Sequence, residues 1–233
     1  MKFYFTTIFL LAGALVFGQR TVKEKIRNID NIDKKRWSYG YYLGLNSYDY
    51  KIDYTEEIPT DIQTETTLGF NVGLLGNLRL NDYFDLRLEP GLSFTTRNLT
   101  FPDPTLVSEA ERTREVTSTY INVPLLLKVS TKRLNNIKPF VLGGVSWSRN
   151  LSSNEESIDD NSAGTFRQRS NVFNYELGIG IDFYLFFFKF TPSIRGVFAL
   201  SDELVPDNDP ESPYTGNVSS MQSRGVYLNF TFQ

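Results

Sequence analysis

Nine charged residues sit at alternating positions inside otherwise apolar runs: Arg79, Asp85, Arg87, Glu89, Lys128, Glu176, Asp182, Lys189 and Arg195. Charges of both signs at that spacing support three kinds of chemistry. Paired, they form ion pairs in an enclosed space. Hydrated, they line a path for solutes. Two carboxylates at one centre do acid/base work. Glu176 with Asp182 is the carboxylate pair to consider, but a rise of about 3.3 Å per residue puts them roughly 20 Å apart on one strand, too far for joint proton transfer. The chain has no histidine and no cysteine. That removes the commonest general base, the commonest metal ligand, thiolate nucleophiles and disulfides. An ester- or amide-cleaving enzyme is therefore not expected, and no catalytic, cofactor-binding or metal-ligating residue is assigned. The run Asp207-Asn208-Asp209-Pro210-Glu211 has the acids of a calcium loop without its glycine and terminal glutamate, so it reads as a solvated turn. Gly178 and Gly180 have no third glycine and no helix after them, so they are not a dinucleotide fingerprint. They read as room for a bulky neighbour.

The elements that carry these charges are strands. Leu68, Phe70, Val72, Leu74, Leu78 and Leu80 alternate with Gly69, Asn71, Gly73, Asn77 and Arg79. Phe84, Leu86, Leu88, Leu92 and Phe94 then alternate with Asp85, Arg87, Glu89, Ser93 and Thr95. Successive strand side chains point to opposite faces, so each run has one apolar and one wet face. The same rhythm predicts eight strands: 37–54, 65–80, 84–97, 116–129, 138–150, 173–183, 188–200 and a last one closing on Phe232. Gly143 and Gly144 leave the faces of the fifth undecided. The connections alternate long and short. The long ones are polar: 98–115, 151–170 and 201–222. The short ones are Asn81–Tyr83, Thr131–Asn136 and a turn near Leu185.

Most runs reach the 9 to 11 residues that a tilted membrane crossing needs. An even number of strands, with short turns at one end and long loops at the other, matches an antiparallel transmembrane β-barrel of the outer membrane, with both chain ends in the periplasm. A secreted β-sandwich is the competing fold, but its strands would not need this length. An eight-stranded barrel has an interior just wide enough for side chains to fill. The lumen charges are accordingly expected to pair into a polar plug.

Composition agrees. Aromatic residues make up 15% of the 233, which suits aromatic girdles at the two interfaces. The net charge is -3 with no basic stripe, so nucleic acid is not an expected partner. Lys2 followed by the apolar run Phe3 to Phe17 reads as a signal peptide over residues 1–18, cut before Gln19. The run is too short for a spanning helix. Residues 19–36 read as a short periplasmic segment, flexible or with one helical turn. Residues 37–233 read as the barrel.

Five segments, Asp33-Lys-Lys-Arg-Trp-Ser-Tyr-Gly-Tyr-Tyr-Leu-Gly-Leu-Asn46, Tyr120-Ile-Asn-Val-Pro-Leu-Leu-Leu-Lys128, Pro192-Ser-Ile-Arg-Gly-Val-Phe198, Asp202-Glu-Leu-Val-Pro-Asp-Asn-Asp-Pro210 and Arg224-Gly-Val-Tyr-Leu-Asn-Phe230, resemble the PorT family. The first and fourth are the more specific. The second is shared by many small outer-membrane barrels. The resemblance implies a non-enzymatic outer-membrane component of the type IX secretion system. It also implies a role in gliding motility where that exists. The expected partners are membrane lipid and other secretion-system subunits, with no small-molecule substrate. The alternative is a generic small barrel for adhesion or envelope integrity.

Overall fold

The computed structural model describes residues 27–29, 31–56 and 61–233. The signal peptide lies outside the described residues. Ten antiparallel strands form one sheet: β1 (Trp37–Tyr54), β2 (Gln63–Thr66), β3 (Leu68–Arg79), β4 (Phe84–Leu88), β5 (Gly91–Thr100), β6 (Thr113–Ser130), β7 (Ile137–Asn150), β8 (Asn171–Tyr184), β9 (Lys189–Ala199) and β10 (Val218–Phe232). β1 pairs with both β10 and β3, so the sheet closes on itself and leaves no open edge in the ring.

The ring has eight staves rather than ten, because two of the expected strands are each broken once. One breaks at Thr67, into β2 and β3. The other breaks at Glu89-Pro90, into β4 and β5. The second break has a plain cause. β6 pairs with β4 up to Leu88↔Leu125 and resumes with β5 at Gly91↔Asn122. Pro90 and Pro124 face that gap, and neither has an N–H to donate to a ladder.

The faces are those the alternation requires. In β7 the assignment left open by Gly143 and Gly144 resolves cleanly. Lys138, Phe140 and Leu142 point inward, while Val141, Val145 and Trp147 point outward. Gly180 supplies room in the lumen, since a Cβ there would lie 2.4 Å from the Phe140 ring. In the first tight turn, the Asn81 side chain accepts hydrogen bonds from the backbone N–H groups of Tyr83 and Phe84, both at 2.8 Å.

The wall extends beyond a membrane's needs. β1 and β6 are 18 residues each, about 60 Å at the usual rise. The outward apolar belt covers only part of that: Trp37 to Leu45 on β1, Ile121 to Val129 on β6 and Val226 to Phe232 on β10. Register aligns its upper limit, because Leu45 lies opposite Leu228 and the next outward pairs include Asp49↔Arg224. Above that level the chemistry changes sides. Asp49, Lys51, Arg224 and Glu115 now face outward, while Tyr50, Leu99, Val116 and Met221 pack inward.

Three boundaries differ from the sequence expectation for this reason. β5 runs on to Thr100, β6 starts at Thr113 and β10 starts at Val218 rather than after Gln222. The loop between β5 and β6 holds one short helix, α1 (Glu109–Arg112). It is capped by Ser108 and Glu111 in a reciprocal box. Hydrogen bonds from the Ser108 and Val107 backbone hold the Glu111 carboxyl below its ordinary range.

Candidate functional site, a lumen closed at three levels

Inward positions of the belt region carry four acids (Asp85, Glu89, Glu176, Asp182) and five bases (Arg87, Lys128, Lys138, Lys189, Arg195), each 8% exposed or less. Ionisable groups removed from water cost several kcal/mol each unless they are paired. The barrel pairs six of these nine in two tiers. In the tier nearer the short turns, Lys128 donates to Asp182 at 2.6 Å. Thr191 adds a hydrogen bond to the other Asp182 oxygen at 2.8 Å. The Lys128 ammonium sits 4.0 Å from the Phe140 ring centre, a cation–π contact. In the tier above, Arg195 bridges two carboxylates, Glu176 at 2.9 Å and Glu89 at 2.5 Å. Arg87 closes on the second Glu89 oxygen at 2.7 Å, as an ion pair without hydrogen-bond alignment.

Eight of the nine sequence-predicted charges therefore lie buried in the lumen, and six of them meet in ion pairs. Arg79 does not. It lies at the mouth, part-exposed, and pairs with Asp82 of the adjoining turn. Glu176 and Asp182 serve different tiers and different cations, so no carboxylate dyad forms.

Above the ion pairs the lumen is filled by neutral polar groups. Asn71 donates to Asn229 at 2.5 Å. Tyr227 shares hydrogen bonds with Tyr48 at 2.5 Å and Ser93 at 2.9 Å. A chain runs on from Asn174 to Ser148 to Asn122 to Ser93. This is the first level of closure.

The second level is a cap. Tyr50, Leu99, Phe101, Leu106, Val116, Leu204, Tyr214 and Met221 form one apolar cluster where the long loops meet the barrel. Its floor is Arg97, which is 0% exposed and absent from the sequence expectation. Arg97 donates to Ser223, Ser118 and Tyr120 at 3.1 to 3.2 Å and lies 3.9 Å from the Tyr50 ring centre. Glu203, also missed, reaches in from the last long loop and accepts from the Ser223 backbone and hydroxyl. Ser223 thus links the Arg97 cation to the Glu203 carboxylate. Burial dominates at Glu203 and raises its pKa.

The third level is at the other end. Residues 28–29 and 31–36 lie across the mouth as a strap, with one 3-10 turn at Ile32–Lys34. β1 begins on one side of the ring. The strap's contacts lie on the opposite side, at the β6–β7 turn and the end of β8. Asp33 accepts from Tyr184 at 2.8 Å and pairs with Arg133 at 3.2 Å. Asn28 donates its backbone N–H to Asn136 at 2.9 Å and its side-chain amide to the Tyr184 carbonyl at 3.0 Å. The Arg133 guanidinium stacks on Tyr184 at 3.8 Å.

The acidic run in the last loop closes turns. Asp207 accepts from Asn161 at 3.1 Å and Ser212 at 2.6 Å, and Asp209 accepts from the Glu211 backbone at 3.0 Å. Among the described residues, no three acids converge as metal ligands would.

No curated protein matches the sequence. Solved structures do resemble it, at low identity. The outer membrane protein OprG from Pseudomonas aeruginosa is 14% identical over 83% of this chain and 94% of its own, with a TM-score of 0.45. Ail, the attachment invasion locus protein of Yersinia pestis, in complex with a heparin analogue, is 12% identical over 85% and 99%, with a TM-score of 0.40. Neisserial surface protein A is 11% identical over 84% and 98%, with a TM-score of 0.41. The outer membrane protein beta-barrel domain matches residues 17–205, most of the chain. The chain therefore belongs to the outer membrane protein beta-barrel domain family and resides in the outer membrane, its apolar belt in contact with lipid.

Proposed function

We propose that this chain is a non-enzymatic, non-conducting component of the type IX protein secretion system, with an accessory or assembly role in export to the cell surface. Where gliding motility exists, the same role extends to it. The observation that supports the non-conducting reading is the occupied lumen: among the described residues, ion pairs, cap and strap fill a ring of eight staves, whose interior is just wide enough for side chains. The translocating pore is then another chain. The choice of secretion system rests on the resemblance of 33–46 and 202–210 to the PorT family. Asp33, which anchors the strap, and Glu203, which reaches under the cap, both lie in those two segments.

In this reading residues 1–18 are a removed signal peptide, 19–36 form a periplasmic segment that includes the strap, and 37–233 form the barrel. The short turns and both chain ends face the periplasm. Partners are membrane lipid and other secretion-system subunits, without nucleic acid or a small-molecule substrate.

A deletion strain tests the proposal. Loss of exported cargo with an intact envelope is the expected result. Normal export with a leaking envelope would contradict it and favour a generic barrel for envelope integrity.

A further inference from the structure

At the short-turn end, a cleft of about 710 Å³ opens at the rim of the mouth where the strap enters β1. It is lined by Lys34, Arg36, Arg79, Leu80, Asn81, Asp82 and Tyr83. Its cations are unevenly used. Arg79 is tied to Asp82 and to the Asn81 carbonyl. Lys34 makes one exposed hydrogen bond, to Asn31 at 3.2 Å. Arg36 has no ionic or hydrogen-bonding side-chain partner among the described residues. Three cations stand against one carboxylate, so the cleft is electropositive.

Its upper rim is continuous with the lipid-facing belt, through Trp37 (66% exposed), Tyr39 (86%) and Leu80 (55%). A dip leads upward from that rim. Gly76 faces outward between Tyr39 on β1 and Leu88 on β4. The space over it is open, for a Cβ built there meets only the Leu88 carbonyl oxygen, at 3.9 Å.

We propose that this cleft binds one anionic diacyl phospholipid of the membrane, its phosphate held by Lys34, Arg36 and Arg79 and one acyl chain laid over Leu80 and Leu78 into the dip at Gly76. Two physical features converge on that ligand. Basic side chains at a membrane boundary attract anionic headgroups at about 1 kcal/mol per Lys or Arg. An apolar trough leading from the headgroup site suits a molecule that is charged at one end and greasy along its length. A free phosphate would use the cations and leave the trough empty. The site lies in the inner leaflet if the short turns are periplasmic, but its chemistry does not depend on that orientation.

The test uses the mature chain in detergent with Trp147→Phe, so that Trp37 is the remaining tryptophan. It is titrated with dioleoyl phosphatidylglycerol, with dioleoyl phosphatidylcholine and with inorganic phosphate. Heat-modifiable gel migration confirms that each variant is folded. Phosphatidylglycerol is expected to shift Trp37 emission saturably, and phosphatidylcholine to require about tenfold more lipid. Inorganic phosphate is expected neither to shift the emission nor to displace the lipid. Lys34→Gln with Arg36→Gln should weaken phosphatidylglycerol about tenfold or more. Gly76→Leu, whose Cβ has open space, narrows the dip and should weaken phosphatidylglycerol several-fold. Equal response to both lipids, displacement by phosphate, or unchanged affinity in the double variant would overturn the site. Unchanged affinity in Gly76→Leu would overturn the acyl-chain path.

Discussion

The lower and upper halves of β1 follow one alternation and opposite chemistry. From Trp37 to Leu45 the outward residues are apolar, and the inward ones are serine, glycine and tyrosine. From Ser47 to Asp53 the outward residues are serine, aspartate and lysine, and the inward ones are Tyr48, Tyr50 and Ile52. The contrast shows that the pleat fixes which side chains share a face, while the surrounding solvent fixes which face is greasy. Where lipid surrounds the wall, the interior holds the polar groups and is stabilised by pairing. Where water surrounds it, the interior becomes an ordinary apolar core. The two halves should therefore fail in different ways.

The largest effect is expected in the lower half. Arg195→Leu leaves Glu89 and Glu176 buried without their bridging cation, and breaking such a pair costs about 3–5 kcal/mol. Urea unfolding from vesicles should show the whole barrel destabilised. A loss under about 1 kcal/mol would mean that the lumen is wet enough to solvate those carboxylates.

Phe101→Ala strikes the upper half. Its ring is buried against Tyr214, centroids 5.0 Å apart, and truncating such a ring costs about 3 kcal/mol. The damage should stay local. Limited proteolysis should accelerate in the long loops while gel migration still reports a folded barrel. Global unfolding would show that the cap and the belt are one cooperative unit.

Asp33→Ala removes the strap's contacts to Arg133 and Tyr184. The Asp33 side chain is 31% exposed, so the expected cost is about 1 kcal/mol. Protease access to residues 28–36 should rise with little change in barrel stability.

The smallest effect concerns pH. Burial raises the Glu203 pKa above its unfolded value. Its contribution is fully present where the carboxyl is neutral in both states and is lost as pH rises through the raised value. Hydrogen exchange in the cap should thus quicken with pH beyond its intrinsic rate, and Glu203→Gln should flatten that excess. An identical trend in parent and variant would show that Arg97, through Ser223, fully offsets the burial.

The belt and its ion pairs were legible in the sequence because alternation and charge sit together there. Asp85, Arg87, Glu89, Lys128, Glu176, Asp182, Lys189 and Arg195 each interrupt an apolar run at an inward position. Arg79 shares that parity but stands at the end of its strand, where a turn aspartate reaches it first. Arg97 and Glu203 were not legible. The outward neighbours of Arg97 are Thr96 and Asn98, so at that height the apolar pattern that marks a lumen residue has already moved to the other face. The early start of β10 was hidden likewise, since Val218 to Gln222 carries its buried methionine on the inward side. Lys138 lay at the very edge of its expected strand. The strap depends on contacts 100 or more residues apart, such as Arg133 with Asp33, which local periodicity does not encode.

A barrel plugged, capped and strapped in this way is expected to be shut. Recording from the purified protein in a planar bilayer tests this most directly. No step conductance is expected at either polarity. Stable openings large enough to admit a polypeptide would contradict it.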